Sequence, residues 1–290
     1  MNRPITPIFQ MMHYCCNYLW KISGSPIYYG SIMTADFNIA VKRLLDAGIG
    51  NARNEARWLA ENAGVQEFAS RLERRLKGEP LQYILGTVPF HDIQLYVGPG
   101  VLIPRPETEQ LVELALSLHI PDGPICDLCT GSGAIALAMA FKLRHVAFTG
   151  IDISEEALHW ARRNQNAMAL DNVTFLKGDL YAPLQEDARF AMITANPPYV
   201  TSGEYSQLES VVKDYEPKLA LEAGNEGLDI ITLIIDDAPG HLLPGGRLVM
   251  EIGDKQGNAV EQLLNKAGFT AEIKTDYAGR QRFAVAVLNP

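Results

Sequence analysis

The chain has 290 residues, 47% of them hydrophobic, enough for a sizeable core and too many for one minimal domain. Its formal net charge of -9 argues against a protein that grips nucleic-acid backbones through a basic face, and favours a protein or small-molecule substrate. No apolar stretch reaches the ~20 residues that cross a bilayer, and the four cysteines, two of them the adjacent Cys15 and Cys16, make a poor disulfide framework and fit a reducing cytoplasm.

Residues 1–32 read as a leader. They hold no Asp or Glu, yet Arg3 is the single arginine and no secretory cleavage pattern follows. A disordered or misassigned leader is expected, with Met33 an alternative start. Residues 33–80 read as a small helical domain of three helices. "FNIAVKRLLDAGI" brings Ile39, Val41, Leu44, Leu45 and Ile49 near one face. "NEARWLAENAG" does so with Ala56, Leu59, Ala60 and Ala63, and "EFASRLERRLKGEP" with Phe68, Leu72 and Leu76. The charges between them read as a solvated face.

Residues 81–103 read as a linker, and from Gly86 to Gly100 the chain changes character. "TVPFHDIQLYVGPG" alternates and is rich in β-branched and aromatic residues, which predicts a β-hairpin linker. The remainder, 104–290, reads as one α/β domain. "IPRPETEQLVELALSLHI" opens it as a helix, started by Pro104 and Pro106, with Thr108 a candidate cap and Leu111, Leu114, Ala115 and Leu118 as its buried stripe. Strands and helices then alternate: "ICDL", "HVAFTGIDIS", "VTFLKGDL", "FAMITANPP" and "GRLVMEIG" as strands, with helical segments beginning at "GSGAIALAMAFKL" between most of them. That alternation predicts a parallel sheet covered on both faces. The last two strands, joined by "DYAGRQ" with no helix between, should pair antiparallel.

The chemistry gathers at strand ends. In "DLCTGSGAIALA" a strand runs into a helix through a glycine turn, where Gly131 and Gly133 let backbone approach a ligand closely. Asp152 ends the next strand about 20 residues later, where an α/β nucleotide site places a carboxylate on ribose hydroxyls. Gly178-Asp179-Leu180 ends the third strand, where an adenine can lie between an acid and an apolar wall. The loop is neither a P-loop nor a full G-x-G-x-x-G, and no arginine signature of a phosphorylated dinucleotide follows. A nucleoside without a pyrophosphate fits better, and S-adenosylmethionine is such a ligand. Cys126 and Cys129 form C-x-x-C, but no second such pair or histidine pair completes a zinc site. Packing on a strand and in the turn after it is expected, with no metal.

Asn196 ends the fourth strand, followed by Pro197, Pro198 and Tyr199. Prolines have a locked φ and no amide hydrogen, so the turn offers carbonyl acceptors and few donors. The Asn196 side chain adds another acceptor. Two acceptors in a rigid turn suit an NH₂ on an sp² carbon, with Tyr199 as a flat face beside it. A glutamine amide and the exocyclic nitrogen of adenine or cytosine are such groups. Holding both hydrogens while pressing the nitrogen toward a sulfonium methyl favours in-line transfer.

"GEPLQYILG", "VLIPRPETEQLVE", "DLCTGSGAIALA", "ANPPYV", "EPKLALEAGNEGLD" and "EIGDKQG" together resemble the HemK/PrmC-type release-factor glutamine methyltransferases, in order from about Gly78 to Val287. The resemblance implies a class I methyltransferase fold, Rossmann-like and seven-stranded, behind a small N-terminal helical domain that helps grip the partner. It implies methyl transfer from S-adenosylmethionine to the glutamine N5 of the Gly-Gly-Gln motif in peptide-chain release factors, in the cytoplasm. By motif, Cys129, Thr130, Gly131, Ser132 and Gly133 cradle the donor, Asp152 takes its ribose and Leu180 borders its adenine. Asn196, Pro197, Pro198 and Tyr199 hold the substrate glutamine, Asn196 also touching the donor, and Arg105 to Glu109 belong to a segment closing over the site. Cys129 departs from the pattern, standing where glycine is common, and the helical domain is short. A monomer without direct nucleic-acid or membrane contact is expected. A ribosomal-protein glutamine methyltransferase is the nearest alternative; an adenine-N6 methyltransferase on nucleic acid would need a basic groove.

Overall fold

The computed structural model describes residue 32 and residues 34–289. The expected leader, Ile32 apart, lies outside them, as do Cys15 and Cys16.

Three helices open the described chain: α1 (Thr34–Asp46), α2 (Ala52–Ala60) and α3 (Val65–Leu76). The buried stripe of α1 is Phe37, Ala40 and Leu44, at helical spacings of three and four. Ile39 and Leu45 fall outside that stripe and stay 57% and 55% exposed, so the buried face is narrower than the apolar spacing predicts. The charges are not all solvated either. Glu55 of α2 is fully buried, and Arg75 of α3 reaches it with Nε at 2.6 Å and Nη2 at 3.3 Å. A bidentate guanidinium can repay the burial of that carboxylate, and it clips the two helices together.

Leu81–Leu85 forms a short helix, α4, where a strand-rich linker was expected; Pro80 starts it and Gly86, at φ 75°, ends it. Leu81 and Ile84 pack on the helical cluster while Tyr83 joins the main core. The hairpin is confined to β1 (Thr87–Phe90) and β2 (Ile93–Tyr96), paired antiparallel.

Beyond it come α5 (Pro106–Ser117), β3 (Ile125–Leu128), α6 (Ala134–Lys142), β4 (Phe148–Asp152), α7 (Glu155–Met168), β5 (Val173–Lys177) and β6 (Phe190–Ala195). Two short helices, α8 (Ser202–Ser206) and α9 (Ser210–Lys213), and a 3₁₀ turn at Lys218–Ala220 precede α10 (Asp229–His241). The chain closes with β7 (Leu242–Glu251), α11 (Gly257–Lys266), β8 (Phe269–Thr275) and β9 (Gln281–Leu288).

The sheet has seven strands in the order β5-β4-β3-β6-β7-β9-β8. All neighbours run parallel except β9, which is antiparallel to both β7 and β8, as the helix-free connection before it predicts. Burial is continuous along β3 and β6, as strands covered on both faces require. Alternation sorts their side chains between two cores. Ile125 and Met192 face α5, α6 and α7, whereas Cys126, Leu128 and Ile193 face α10 and α11. Among the described residues no helix is long and apolar enough to cross a membrane.

Candidate active site

From β3 the chain steps outward to β4 and β5, then returns to the other side of β3 as β6. A crevice opens where the connections diverge, outside the carboxyl ends of the strands. The ends of β3, β4, β5 and β6 all reach it, bringing Gly131, Asp152, Leu180 and Asn196 to one cleft. The cleft encloses about 1150 Å³ of empty space, part of it open to solvent.

Three residues of the glycine turn carry positive φ: Cys129 at 54°, Gly131 at 56° and Gly133 at 81°. They do different work. At Gly131 an added Cβ would meet nothing nearer than Val101, 3.9 Å away, so the backbone conformation and the cleft, not packing, account for the glycine. At Gly133 a Cβ would sit 2.8 Å from Leu137 and 3.0 Å from Phe175. That glycine seats α6 against the sheet, and it is absent from the cleft lining, unlike Cys129, Thr130, Gly131 and Ser132. Cys129 is a side-chain residue held in the left-handed region, which explains why glycine suits this position. Cys129→Gly is expected to stabilise the fold by about 1 kcal/mol, read as a raised urea midpoint; an unchanged or lowered midpoint would contradict that. Cys126 is buried on β3, and both thiols are free.

Asp152 is set by the same turn. Its Oδ2 accepts from the Gly131 amide at 2.8 Å and its Oδ1 from the Ser154 amide at 2.9 Å. Ser154 itself caps α7 through its hydroxyl, 3.2 Å from the Ala157 amide. Each carboxylate oxygen keeps a lone pair for a ligand hydroxyl. Burial pushes this carboxyl upward, and the backbone bonds from Ser154 and Gly131 oppose it. Leu180, at φ 46°, and Ile153 supply apolar walls nearby. Ile153 was missed in the sequence; its signal there is an isoleucine immediately after the acid, and in the structure it stays 49% exposed at the cleft. An acid for vicinal hydroxyls, flanked by apolar walls for a base, fits a nucleoside.

Another acid was also missed. Asp127 is fully buried in the middle of β3, where it accepts from Thr130 Oγ1 at 2.5 Å and Thr194 Oγ1 at 2.7 Å. Burial pushes its pKa up to about 6 against those two bonds. It ties the glycine turn to β6, so donor-side and acceptor-side loops share one anchor.

At the end of β6, Asn196 and Pro198 line the cleft, while Pro197 is buried and Tyr199 does not reach the lining. Tyr199 packs its ring on the α10/α11 core and donates its hydroxyl to Glu251 Oε1 at 3.0 Å. Its carbonyl accepts from Gln256 Nε2 at 3.1 Å, and the same nitrogen holds the Gly227 carbonyl at 2.9 Å. A Cβ on Gly227 would lie 2.2 Å from that tyrosine carbonyl. Blocks far apart in the sequence, around Gly227 and Gln256, therefore brace the bend from behind.

Thr108 is not a helix cap. Pro106 begins α5 with Arg105 at the cap position, and Thr108 turns inward, 3% exposed. Asn196 Nδ2 donates to Thr108 Oγ1 at 3.0 Å, and Thr108 donates to Glu251 Oε2 at 2.7 Å. Arg105 points elsewhere, donating at 2.6 Å to Glu216, whose other oxygen holds the Ile103 amide at 3.0 Å. Glu109 accepts from the His91 backbone, and burial pushes its pKa up to about 7. Of the segment Arg105–Glu109, Thr108 alone lines the cleft, with Leu102 and Pro104 just before it.

The strand order, the acid that ends β4 and the Asn-Pro-Pro-Tyr bend after β6 together define a class I methyltransferase. The family described as Methyltransferase small domain matches residues 108–219, and the PrmC N-terminal domain matches residues 61–86. A release factor glutamine methyltransferase of Thermodesulfovibrio yellowstonii is 45% identical over 74% of this chain and 79% of its own. One of Streptomyces coelicolor is 35% identical over 88% of this chain and 98% of its own. A methyltransferase from Pyrococcus furiosus shares the fold, with a TM-score of 0.51 and 21% identity over 68% of this chain and 89% of that one. The chain belongs to the release factor glutamine methyltransferase family.

Proposed function

We propose that the chain transfers a methyl group from S-adenosylmethionine to the side-chain N5 of the glutamine in the Gly-Gly-Gln motif of peptide-chain release factors. One observation carries this: Asn196 and Pro198, which suit a flat primary amide, line the same cleft as Asp152 and Leu180, which suit a nucleoside. The donor supplies a methyl group activated by a positive sulfur; the amide nitrogen gains that methyl and loses a proton to solvent.

The chain's own residues do the rest by placement. Asp152 holds the ribose hydroxyls, Leu180 and Ile153 flank the adenine, and the turn from Cys129 to Ser132 closes on the donor's remaining length. Asn196 Oδ1 accepts from the substrate NH₂ and aims the nitrogen's weak lone pair along the transfer line. Positioning of this kind is worth up to about 7–11 kcal/mol in favourable cases. No strong base is needed, because the methylated nitrogen sheds its proton readily. Tyr199 acts from behind, holding the bend rigid.

Residues 33–80 are assigned to gripping the release factor; the match of residues 61–86 to the PrmC N-terminal domain supports this. The enzyme is assigned to the cytoplasm, where release factors work. The test is parallel transfer of a labelled methyl group to purified release factor, ribosomal protein and DNA. Label is expected on the release factor alone, and it should vanish when the Gly-Gly-Gln glutamine is replaced. Label on ribosomal protein or DNA instead would overturn the assignment.

A further inference from the structure

Asn196 can serve as an acceptor only if its amide is turned the right way. The two ends of an asparagine amide are nearly the same size, so shape alone does not choose between them. Flipped, the side chain would present NH₂ to the substrate's NH₂ and repel it.

The structure holds a device that makes the choice. Thr108 Oγ1 lies 2.7 Å from Glu251 Oε2 and 3.0 Å from the Asn196 amide. Glu251 is 1% exposed, and its other oxygen takes the Tyr199 hydroxyl. A hydroxyl has one proton. Once Thr108 gives its proton to the carboxylate, the threonine oxygen can only accept. The atom facing it must then be the Asn196 NH₂, which leaves Oδ1 for the cleft.

We propose that Glu251 is a positioning residue: acting through Thr108 it fixes the orientation of the Asn196 amide, and acting through the Tyr199 hydroxyl it fixes the back of the same bend. Neither Glu251 nor Tyr199 lines the cleft, so this carboxylate acts on the substrate only through Thr108 and Asn196. Burial raises the Glu251 pKa above the usual carboxylate range and Glu107 adds to the rise; the Thr108 and Tyr199 hydroxyl donors and Arg282 oppose it and favour the charged form that the device requires. The inference about substrate capture rests on the proposed glutamine reading, whereas the amide orientation itself does not.

The test separates the two. Protein labelled with ¹⁵N at asparagine side chains is compared as wild type, Thr108→Ser, Thr108→Val and Glu251→Gln. In the wild type the Asn196 NH₂ should show one proton shifted by its hydrogen bond and slow to exchange. Thr108→Ser should keep that signature. Thr108→Val, of equal shape without the oxygen, should lose it. Glu251→Gln offers one acceptor oxygen where the carboxylate had two, so it should give a mixture of both amide orientations. In methyl transfer, Thr108→Val should lower kcat on the order of 10- to 100-fold with donor affinity unchanged, and Thr108→Ser should restore it. An Asn196 signature identical in wild type, Thr108→Val and Glu251→Gln would overturn the inference. Should the signature follow Thr108 while the wild type leaves every glutamine substrate unmodified, the orienting device stands and the substrate reading falls.

Discussion

Asn196→Ala is expected to lower kcat for glutamine methylation by roughly 10²–10³-fold, the effect of removing one preorganised polar contact made in a transition state. Donor affinity should stay within about threefold of wild type, a difference below 1 kcal/mol. The separation follows from where the side chain's two ends go. Nδ2 is spent on Thr108 at 3.0 Å, which leaves Oδ1 as the end offered to the cleft that Asn196 lines. Truncation removes the acceptor but leaves Thr108 its bond to Glu251, so no buried proton is orphaned and the fold should hold. Rate measurements at saturating donor, with calorimetric titration of S-adenosylhomocysteine, check both halves. Near-normal turnover would remove Asn196 from the reaction; a large loss of donor affinity would make it a donor-binding residue first.

Asp152→Ala should do the reverse. Two charge-assisted hydrogen bonds to ribose hydroxyls disappear, each worth about 1.5–3 kcal/mol, so donor Kd should rise on the order of 10²-fold or more. The carboxylate also holds the Gly131 and Ser154 amides, so the alanine loosens the glycine turn as well. Asp152→Asn grades both effects, since its NH₂ can accept from neither the Gly131 nor the Ser154 amide and one of those bonds is lost. It keeps one acceptor and the shape of the side chain, and should fall between wild type and alanine in affinity. At saturating donor, kcat should recover in both variants, because neither touches the amide side of the cleft. An unchanged Kd in Asp152→Ala would refute its assignment to the ribose.

What the sequence disclosed, and what it hid, follows from how far each interaction reaches. The strand ends at Gly131, Asp152, Leu180 and Asn196 were legible because each is punctuated locally, by glycine, by an acid after apolar residues, or by paired prolines. The alternation of strands and helices made the layered sheet legible in the same way, as did the antiparallel final pair. The orienting network was not legible. Thr108 and Asn196 are 88 residues apart, and Thr108 and Glu251 are 143 apart. Nothing near Thr108 distinguishes an inward-facing hydroxyl from a helix cap. Glu251 did leave a trace, as the acid closing the apolar run "GRLVM", and Asp127 another, as an acid inside "ICDL". Both point to buried carboxylates whose partners only the fold supplies. Tyr199 was legible as part of the bend, but its hydroxyl's partner, Glu251, was not, and that partner draws the ring away from the cleft. The burial of Glu55 against Arg75 was hidden for the same reason: two surface-like charges meet only after α2 and α3 pack.

The most direct measurement is a crystal structure of the enzyme with S-adenosylhomocysteine and a peptide containing Gly-Gly-Gln. The glutamine side-chain nitrogen should lie about 3 Å from Asn196 Oδ1, on the side facing the donor's sulfur, with the ribose on Asp152. A peptide whose glutamine amide sits away from the Asn196–Pro198 bend, while the donor product occupies the cleft, would contradict the account.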